Sequence, residues 1–373
     1  MIPVNEPHIS KNALKYVSDC VKTGWISSSG KYIKEFEKKF AKFIGVKHAI
    51  TTTSGTTALH LALVSLGIKK GDEVIIPSHT MMASAAAVIY TGATPVFVDV
   101  QRDTWNMEVK KIEKLISKKT KAIMPVHIYG LPVDMDPVMA LAKKYNLYVI
   151  EDAAESLGAK YNKKMTGSIG DVGCFSFYAN KIITTGEGGM VVTNSDKLAG
   201  VARELKDLAH SPKRRFLHNK IGYNYRMTNM QAALGVAQLE EVKKYIEKKK
   251  WMASEYNKKL SKIEGISLPT ESKKSTNVYW MYAILIEDSF GIKRDEFMKR
   301  LFEKGVDTRT FFISMHTQPA ITKLGFGKHA KCSISEEIEQ KGLYLPSGLA
   351  ITKKQINTVC KAIYEIKKEI SKK

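Results

Sequence analysis

Between residues 73 and 150 the chain alternates short apolar strands with helices, and this alternation constrains its fold more than any other feature. Residues 73–77 read as a strand, 83–90 as a helix of small residues, 94–100 as a strand and 109–116 as a helix. Residues 122–126 are again a strand, 137–145 a helix and 147–150 a strand. Helices at this spacing supply the crossovers that parallel strands need, so the expected class is α/β, a mainly parallel sheet covered by helices on both faces. In such sheets ligands gather beyond the carboxyl ends of the strands. His127, Tyr129, Asp152 and Glu155 all fall there.

The flanks extend this pattern. Residues 11–23 have helical spacing, with Leu14, Val17 and Val21 on one face, and stop at Gly24. The next stretch, Trp25-Ile26-Ser27-Ser28-Ser29-Gly30-Lys31, offers three hydroxyls and a lysine beside an aromatic ring. That group suits a phosphorylated ligand, and an ordinary loop accounts for it as well. Residues 32–43 form an amphipathic helix. Residues 49–61 pass from a strand through Ser54-Gly55-Thr56-Thr57 into a helix. A capping Ser54 and the free amides of the first turn would make an anion site, although an ordinary capped helix fits equally. A P-loop is excluded, because the closing Gly-Lys-Ser/Thr is missing.

The stretch 175–190 carries the sharpest chemical signal. An aromatic strand, Phe175-Ser176-Phe177-Tyr178, runs to Lys181 and on through Thr184-Thr185-Gly186-Glu187-Gly188-Gly189 into a second strand at 190–193. On local pattern this is either a surface lysine in a hairpin or an amine kept nucleophilic for a carbonyl cofactor. Upstream, Glu151-Asp152-Ala153-Ala154-Glu155 puts carboxylates directly after a buried strand. They could bind metal, act as an acid–base pair or form a solvated turn. An anion at Asp152 needs a cationic partner, and a protonated pyridine nitrogen would be one. Further on, 196–208 is helical, 210–220 is a basic loop, and 230–250 reads as one long helix connecting two domains. From 251 the pattern becomes α+β, with helices at 253–263, 294–304 and 355–370 and a strand at 278–286. The expected domains are therefore 1–250 and 251–373.

Bulk properties narrow the function classes. The 373 residues, 44% of them hydrophobic, suffice for two globular domains. The net charge of +22 is spread over amphipathic segments among acids, so it describes a solvated surface rather than a nucleic-acid-binding arm. Four dispersed cysteines have no metal-ligand spacing and fit free thiols in a reducing cytoplasm. No signal peptide is read at the N-terminus, and no apolar run approaches the roughly 20 residues a membrane helix requires. A soluble cytoplasmic protein without metal, nucleic-acid partner or membrane contact is expected.

Taken together, Lys181, Asp152 and the 54–57 turn with Ser176 supply what pyridoxal 5'-phosphate needs: an amine, a carboxylate for the ring nitrogen, and donors for the phosphate. The chain resembles the DegT-type sugar-nucleotide aminotransferases, which share fold type I of the pyridoxal phosphate enzymes. The resemblance rests on Gly30-Lys31-Tyr32-Ile33, Ser54-Gly55-Thr56, residues 151–155, residues 175–190 and Tyr223-Asn224-Tyr225-Arg226-Met227-Thr228-Asn229, all in family order. It implies Lys181 as the catalytic lysine, Asp152 on the ring nitrogen and Glu155 on the ring hydroxyl. It further implies Ser54, Gly55, Thr56 and Ser176 at the phosphate, and Asn224 reaching the neighbouring subunit's phosphate in a homodimer. Trp25, Ser27, Ser28, Ser29, Lys31 and His316 would lie near the sugar nucleotide. Met81 stands where relatives place an aromatic over the ring. A thioether can pack there too. The family branch with histidine in place of the lysine, which deoxygenates C3, is excluded by Lys181. The Thr-Thr-Gly-Glu-Gly-Gly stretch implies amination at C4. The expected reaction moves the amine of L-glutamate to a GDP-linked 4-keto-6-deoxyhexose, with a UDP- or dTDP-linked sugar as the alternative.

Overall fold

The computed structural model describes residues 1–211, 213–214 and 216–372. Pro212 and Arg215 of the expected basic loop, and Lys373, lie outside the described residues. The alternation becomes β1 (His48–Thr52), β2 (Glu73–Pro77), β3 (Thr94–Val98), β4 (Thr120–Ile123) and β5 (Tyr148–Asp152). A small hairpin follows, β6 (Lys160–Tyr161) and β7 (Lys164–Met165), and then β8 (Val172–Ser176) and β9 (Gly189–Thr193). Seven of these strands form one sheet in the order β1-β9-β8-β5-β4-β2-β3. The pairs β3–β2–β4–β5–β8 are parallel, and β9 runs antiparallel to both its neighbours. This is the mainly parallel sheet expected.

The helices of this part are α1 (Ala13–Thr23), α2 (Lys31–Ile44), α3 (Gly55–Ser65), α4 (Met82–Tyr90), α5 (Val109–Ile112), α6 (Met135–Tyr145), α7 (Asp196–Lys206), α8 (Asn229–Glu240) and α9 (Val242–Leu260). They cover both faces, and the period of two along each strand dictates how. Val74 and Ile76 of β2 pack into the cluster holding Leu59 and Leu63 of α3 and Val88 of α4. Ile75 between them packs into the opposite cluster with Ile112 of α5 and Val138 of α6.

The remainder adds β10 (Ile266–Ser267), β11 (Ser275–Thr276), β12 (Tyr282–Ile286), β13 (Arg309–Thr310) and β14 (Gly342–Leu345). It also adds α10 (Arg294–Glu303), α11 (Pro319–Thr322), α12 (Ser333–Lys341) and α13 (Lys353–Ile370). Strands β10-β12-β14-β13 form a four-stranded antiparallel sheet, while β11 joins the small β6–β7 hairpin. Tyr256 of α9, Tyr282 and Phe297 share a core there with Ile363 of α13.

Several expectations are corrected. The expected helix 230–250 is two helices, broken at Glu241 (φ −105°, ψ 4°), and the second runs on to Leu260, across most of the stretch expected as a separate helix at 253–263. Nothing in the composition of 229–260 marks the break, since no glycine or proline occurs between Gly235 and Gly265. The expected domain boundary at 250 therefore falls inside α9. On α1 the expected apolar face is rotated by about one residue: Ala13 and Cys20 are buried, while Leu14 and Val21 stand 79% and 62% exposed. The expected strand 278–286 begins only at Tyr282. The strand expected at 122–126 lies at Thr120–Ile123, with Val126 kept only as a single bridge to Asp152.

An aromatic cluster fixes the end of β8. Phe177 lies 5.1 Å from Phe36 and 5.4 Å from Phe40, ring centre to ring centre, and Phe40 lies 5.1 Å from Phe175. The main chain of Phe177 is tied on both sides, its amide donating to Gly188 O (2.8 Å) and its carbonyl accepting from Thr185 N (2.9 Å). Phe177→Ala is expected to cost about 3–5 kcal/mol through transfer and cavity terms, read as a lowered denaturant midpoint at unchanged m-value.

Candidate active site

Lys181 sits on the connection between β8 and β9, four residues beyond the fixed Phe177. Its side chain is 12% exposed. The Nζ lies 3.9 Å from Glu155 Oε1 and 3.5 Å from the centre of the Trp280 ring. Burial disfavours the ammonium form and lowers the lysine's pKa, while Glu155 and Asp152 oppose that shift. The amine is thus poised to become neutral, and hence nucleophilic, at milder pH than a surface lysine.

The expected carboxylates separate by strand geometry. Glu151 and Asp152 are successive residues of β5, so they face opposite sides of the sheet. Glu151 is a structural tie: it accepts from the amides of Gly167 (2.8 Å), Ile169 (2.6 Å) and Gly170 (2.7 Å) and pairs with His127 Nε2 (3.0 Å). Asp152 faces the cavity. Ser84 Oγ donates to its Oδ2 at 2.8 Å and the Ala154 amide to its Oδ1 at 3.2 Å. Burial raises its pKa, and no cation lies in ion-pair range among the described residues. A cationic group of a ligand would relieve that cost. Glu155 accepts from the Tyr129 amide at 2.7 Å, and burial raises its pKa as well. No group of His, Cys, Asp and Glu able to hold a metal occurs among the described residues.

The cavity, about 440 Å³, is closed at one end by the start of α3. Ser54 caps this helix, its Oγ accepting from Thr57 N at 3.1 Å while Thr57 Oγ1 takes the Ser54 amide at 2.9 Å. That reciprocal cap leaves the first-turn amides of Gly55 and Thr56 without intrahelical acceptors, which is the arrangement that binds anions. Gly55 is required for the fit: a Cβ there would stand 2.7 Å from Ser176 Cβ. A cavity with a poised amine, a buried carboxylate without a cation and an anion cradle matches the three demands of pyridoxal phosphate.

Ser54, Gly55, Thr56, Met81, Asp152, Glu155, Ser176 and Lys181 all line this one cavity, Met81 as a half-exposed wall. The remaining expected residues lie elsewhere. Trp25, Ser28, Ser29 and Lys31 line a second cavity of about 800 Å³ with Asp19 and Asn229, and Ser27 adjoins it through its carbonyl, which accepts from Asn229 N at 2.6 Å. Asn224 is exposed, bridged to Asp207 and outside both cavities. His316 is buried between Ser78 Oγ (2.7 Å) and Glu336 Oε1 (2.9 Å). The sequence reading missed Trp280, Tyr178, Glu187, Phe312 and Tyr344 as wall residues. Trp280 looked like one more residue of the strand expected at 278–286.

A model of the DegT/DnrJ/EryC1/StrS aminotransferase family matches residues 7–364. Two similar proteins carry the name GDP-perosamine synthase. The one from Caulobacter vibrioides is 45% identical over 366 residues, and the one from Escherichia coli O157:H7 is 44% identical over 364 residues; each alignment covers 98% of this chain and 98% of the relative. Among solved structures, the aminotransferase from Psychrobacter cryohalolentis aligns with a TM-score of 0.93 at 33% identity, covering 99% of this chain and 100% of that one.

Proposed function

The chain belongs to the DegT/DnrJ/EryC1/StrS aminotransferase family, and on that premise we propose that it moves the amino group of L-glutamate to C4 of GDP-4-keto-6-deoxy-D-mannose, giving GDP-perosamine. The observation that carries the chemistry is the convergence of Lys181, Asp152 and the α3 cradle in one cavity. The choice of sugar is supported by two GDP-perosamine synthases of 45% and 44% identity over nearly the full length.

When bound, pyridoxal phosphate supplies an electron sink for the carbon that loses or gains the amine. Around it the chain's own groups have separate tasks. The amides of Gly55 and Thr56, with the hydroxyls of Ser54 and Ser176, would hold the phosphate. Asp152 would hold the proton on the ring nitrogen, its carboxylate kept aimed by Ser84 and the Ala154 amide. Glu155, fixed by the Tyr129 amide, would accept from the ring hydroxyl. Lys181 would tether the cofactor at rest and, once freed, would move the proton at the reacting substrate carbon. Its lowered pKa suits a general base that must be neutral when it acts.

The functional unit in this reading is a homodimer. The exposed apolar side chains of Leu14, Val21, Trp25 and Ile26 support it, and Asn224 would serve the partner's phosphate cradle. The loop at 25–31 and His316 would accompany the sugar nucleotide. Among the described residues no helix is long and apolar enough to cross a membrane. Four buried free thiols support a reducing cytoplasm as its location.

The test is a substrate panel with purified protein, pyridoxal phosphate and L-glutamate, offering GDP-, UDP- and dTDP-linked 4-keto-6-deoxyhexoses. Amino sugar and 2-oxoglutarate are expected in equal amount with GDP-4-keto-6-deoxy-D-mannose. Product from only a UDP or dTDP sugar would transfer the reading to that nucleotide, and 2-oxoglutarate without any amino sugar would remove the sugar acceptor altogether.

A further inference from the structure

Residues 278–281 leave the expected strand to enter the cavity wall. Tyr279 turns the chain at φ 50°, in the left-handed region that a bulky side chain rarely adopts. Its amide donates to Asn277 Oδ1 at 2.7 Å, and the Val278 amide reaches Gly130 O at 3.1 Å. Gly130 itself has φ 106°, and a Cβ there would stand 2.8 Å from Tyr279 N and 2.9 Å from Trp280 N. Backbone therefore meets backbone at this turn.

The excursion delivers one side chain. Trp280 is 4% exposed, its ring centre 3.5 Å from Lys181 Nζ. The ring Nε1 donates at 2.8 Å to the carbonyl of Asn180, the residue preceding the lysine. The carbonyl of Trp280 in turn accepts from Lys249 Nζ at 2.8 Å, and the same Nζ donates to Ser347 O. Lys249 is fully buried on α9, where burial alone pulls its pKa down to about 7. A buried amine with two carbonyl acceptors needs a reason to be there.

We infer that Trp280 is a further catalytic residue, which holds the Lys181 amine against its ring and sets when that amine gives up its proton, and that Lys249 is the positioning residue that fixes the ring. The inference rests on Lys181 being the cofactor lysine. Asp152 from β5 and Glu155 from the turn after it act on the amine, and the other titratable groups lining the same cavity are Tyr178 and Glu187 from the 177–188 connection and Tyr344 from β14. The ring favours the ammonium form as the carboxylates do, and burial opposes all of them. Weakening the ring contact therefore lets burial lower the pKa further.

The experiment follows covalent loading of the cofactor-free protein with pyridoxal phosphate, read as the growth of visible absorbance against pH. The cofactor's own titration is common to every variant. Trp280→Phe is expected to move the midpoint of the loading profile to lower pH by roughly half a unit to one unit. Lys249→Met, which touches neither cofactor nor Lys181, should shift it in the same direction, and the double variant should go no further than Trp280→Phe alone. Lys249→Arg, which keeps the donors, should bring the midpoint most of the way back to the parent's. A midpoint that stays or rises in Trp280→Phe overturns the inference, however Lys249→Met folds. An unmoved midpoint in a folded Lys249→Met removes the positioning role. Absence of any band in the parent protein would instead refute Lys181 as the cofactor lysine, a distinct failure.

Discussion

Lys181→Ala is expected to lose at least about 10⁴-fold in turnover, because one amine serves as both cofactor tether and proton carrier. The motivating geometry is its nearly closed position between Glu155 and Trp280. Removing a buried amine leaves a small void and two carboxylates, so the fold should persist, and circular dichroism should match the parent. Pyridoxal phosphate should still bind in the α3 cradle, but dialysis should remove it and borohydride should not fix it to the chain. Turnover within tenfold of the parent would end the assignment of Lys181.

Asp152→Asn should cost on the order of 10²–10³-fold in kcat, the scale for removing one preorganised charge from an active site. Its stability effect should run the other way. Burial raises the pKa of Asp152 in the folded protein. A raised carboxylate contributes stability below its unfolded pKa of about 3.9 and loses that contribution as pH rises through the folded value. At neutral pH the ionised side chain is therefore a cost to the cofactor-free protein. The amide carries no such cost, so the thermal midpoint of cofactor-free Asp152→Asn at pH 7 should equal or exceed the parent's. Lost activity together with a lowered midpoint would mark Asp152 as structural.

The sheet and most of the site were legible in the sequence because both follow short-range rules. Alternation of strand and helix between 73 and 150 predicts a parallel sheet by connectivity alone, and β2 appears at the expected residues. Lys181, Asp152 and the Ser54 cap could be placed because each departs from its local pattern. The break at Glu241 was invisible, since no glycine or proline stands there to mark the end of α8. The face of α1 was misplaced by one residue because Leu14 and Val21 outweigh Ala13 and Cys20 in hydropathy, although α8 accepts the smaller pair. Trp280 was hidden for a related reason. A left-handed tyrosine is chosen by the Asn277 side chain two residues before it and by the Gly130 loop, and the second of these is far away in sequence. The loop at 25–31, expected beside the sugar nucleotide, lines a cavity of its own rather than the lysine's.

Strands β5, β8 and β9 are neighbours in the sheet and also follow one another closely along the chain. Asp152, Glu155, Ser176 and Lys181 are thereby carried by one short continuous segment, while the 25–31 loop and Trp280 come from distant parts of the chain. Substitutions in the 25–31 loop, which lines a separate cavity, can therefore accumulate without disturbing the surroundings of Lys181, whereas a change at Trp280 reaches the amine directly.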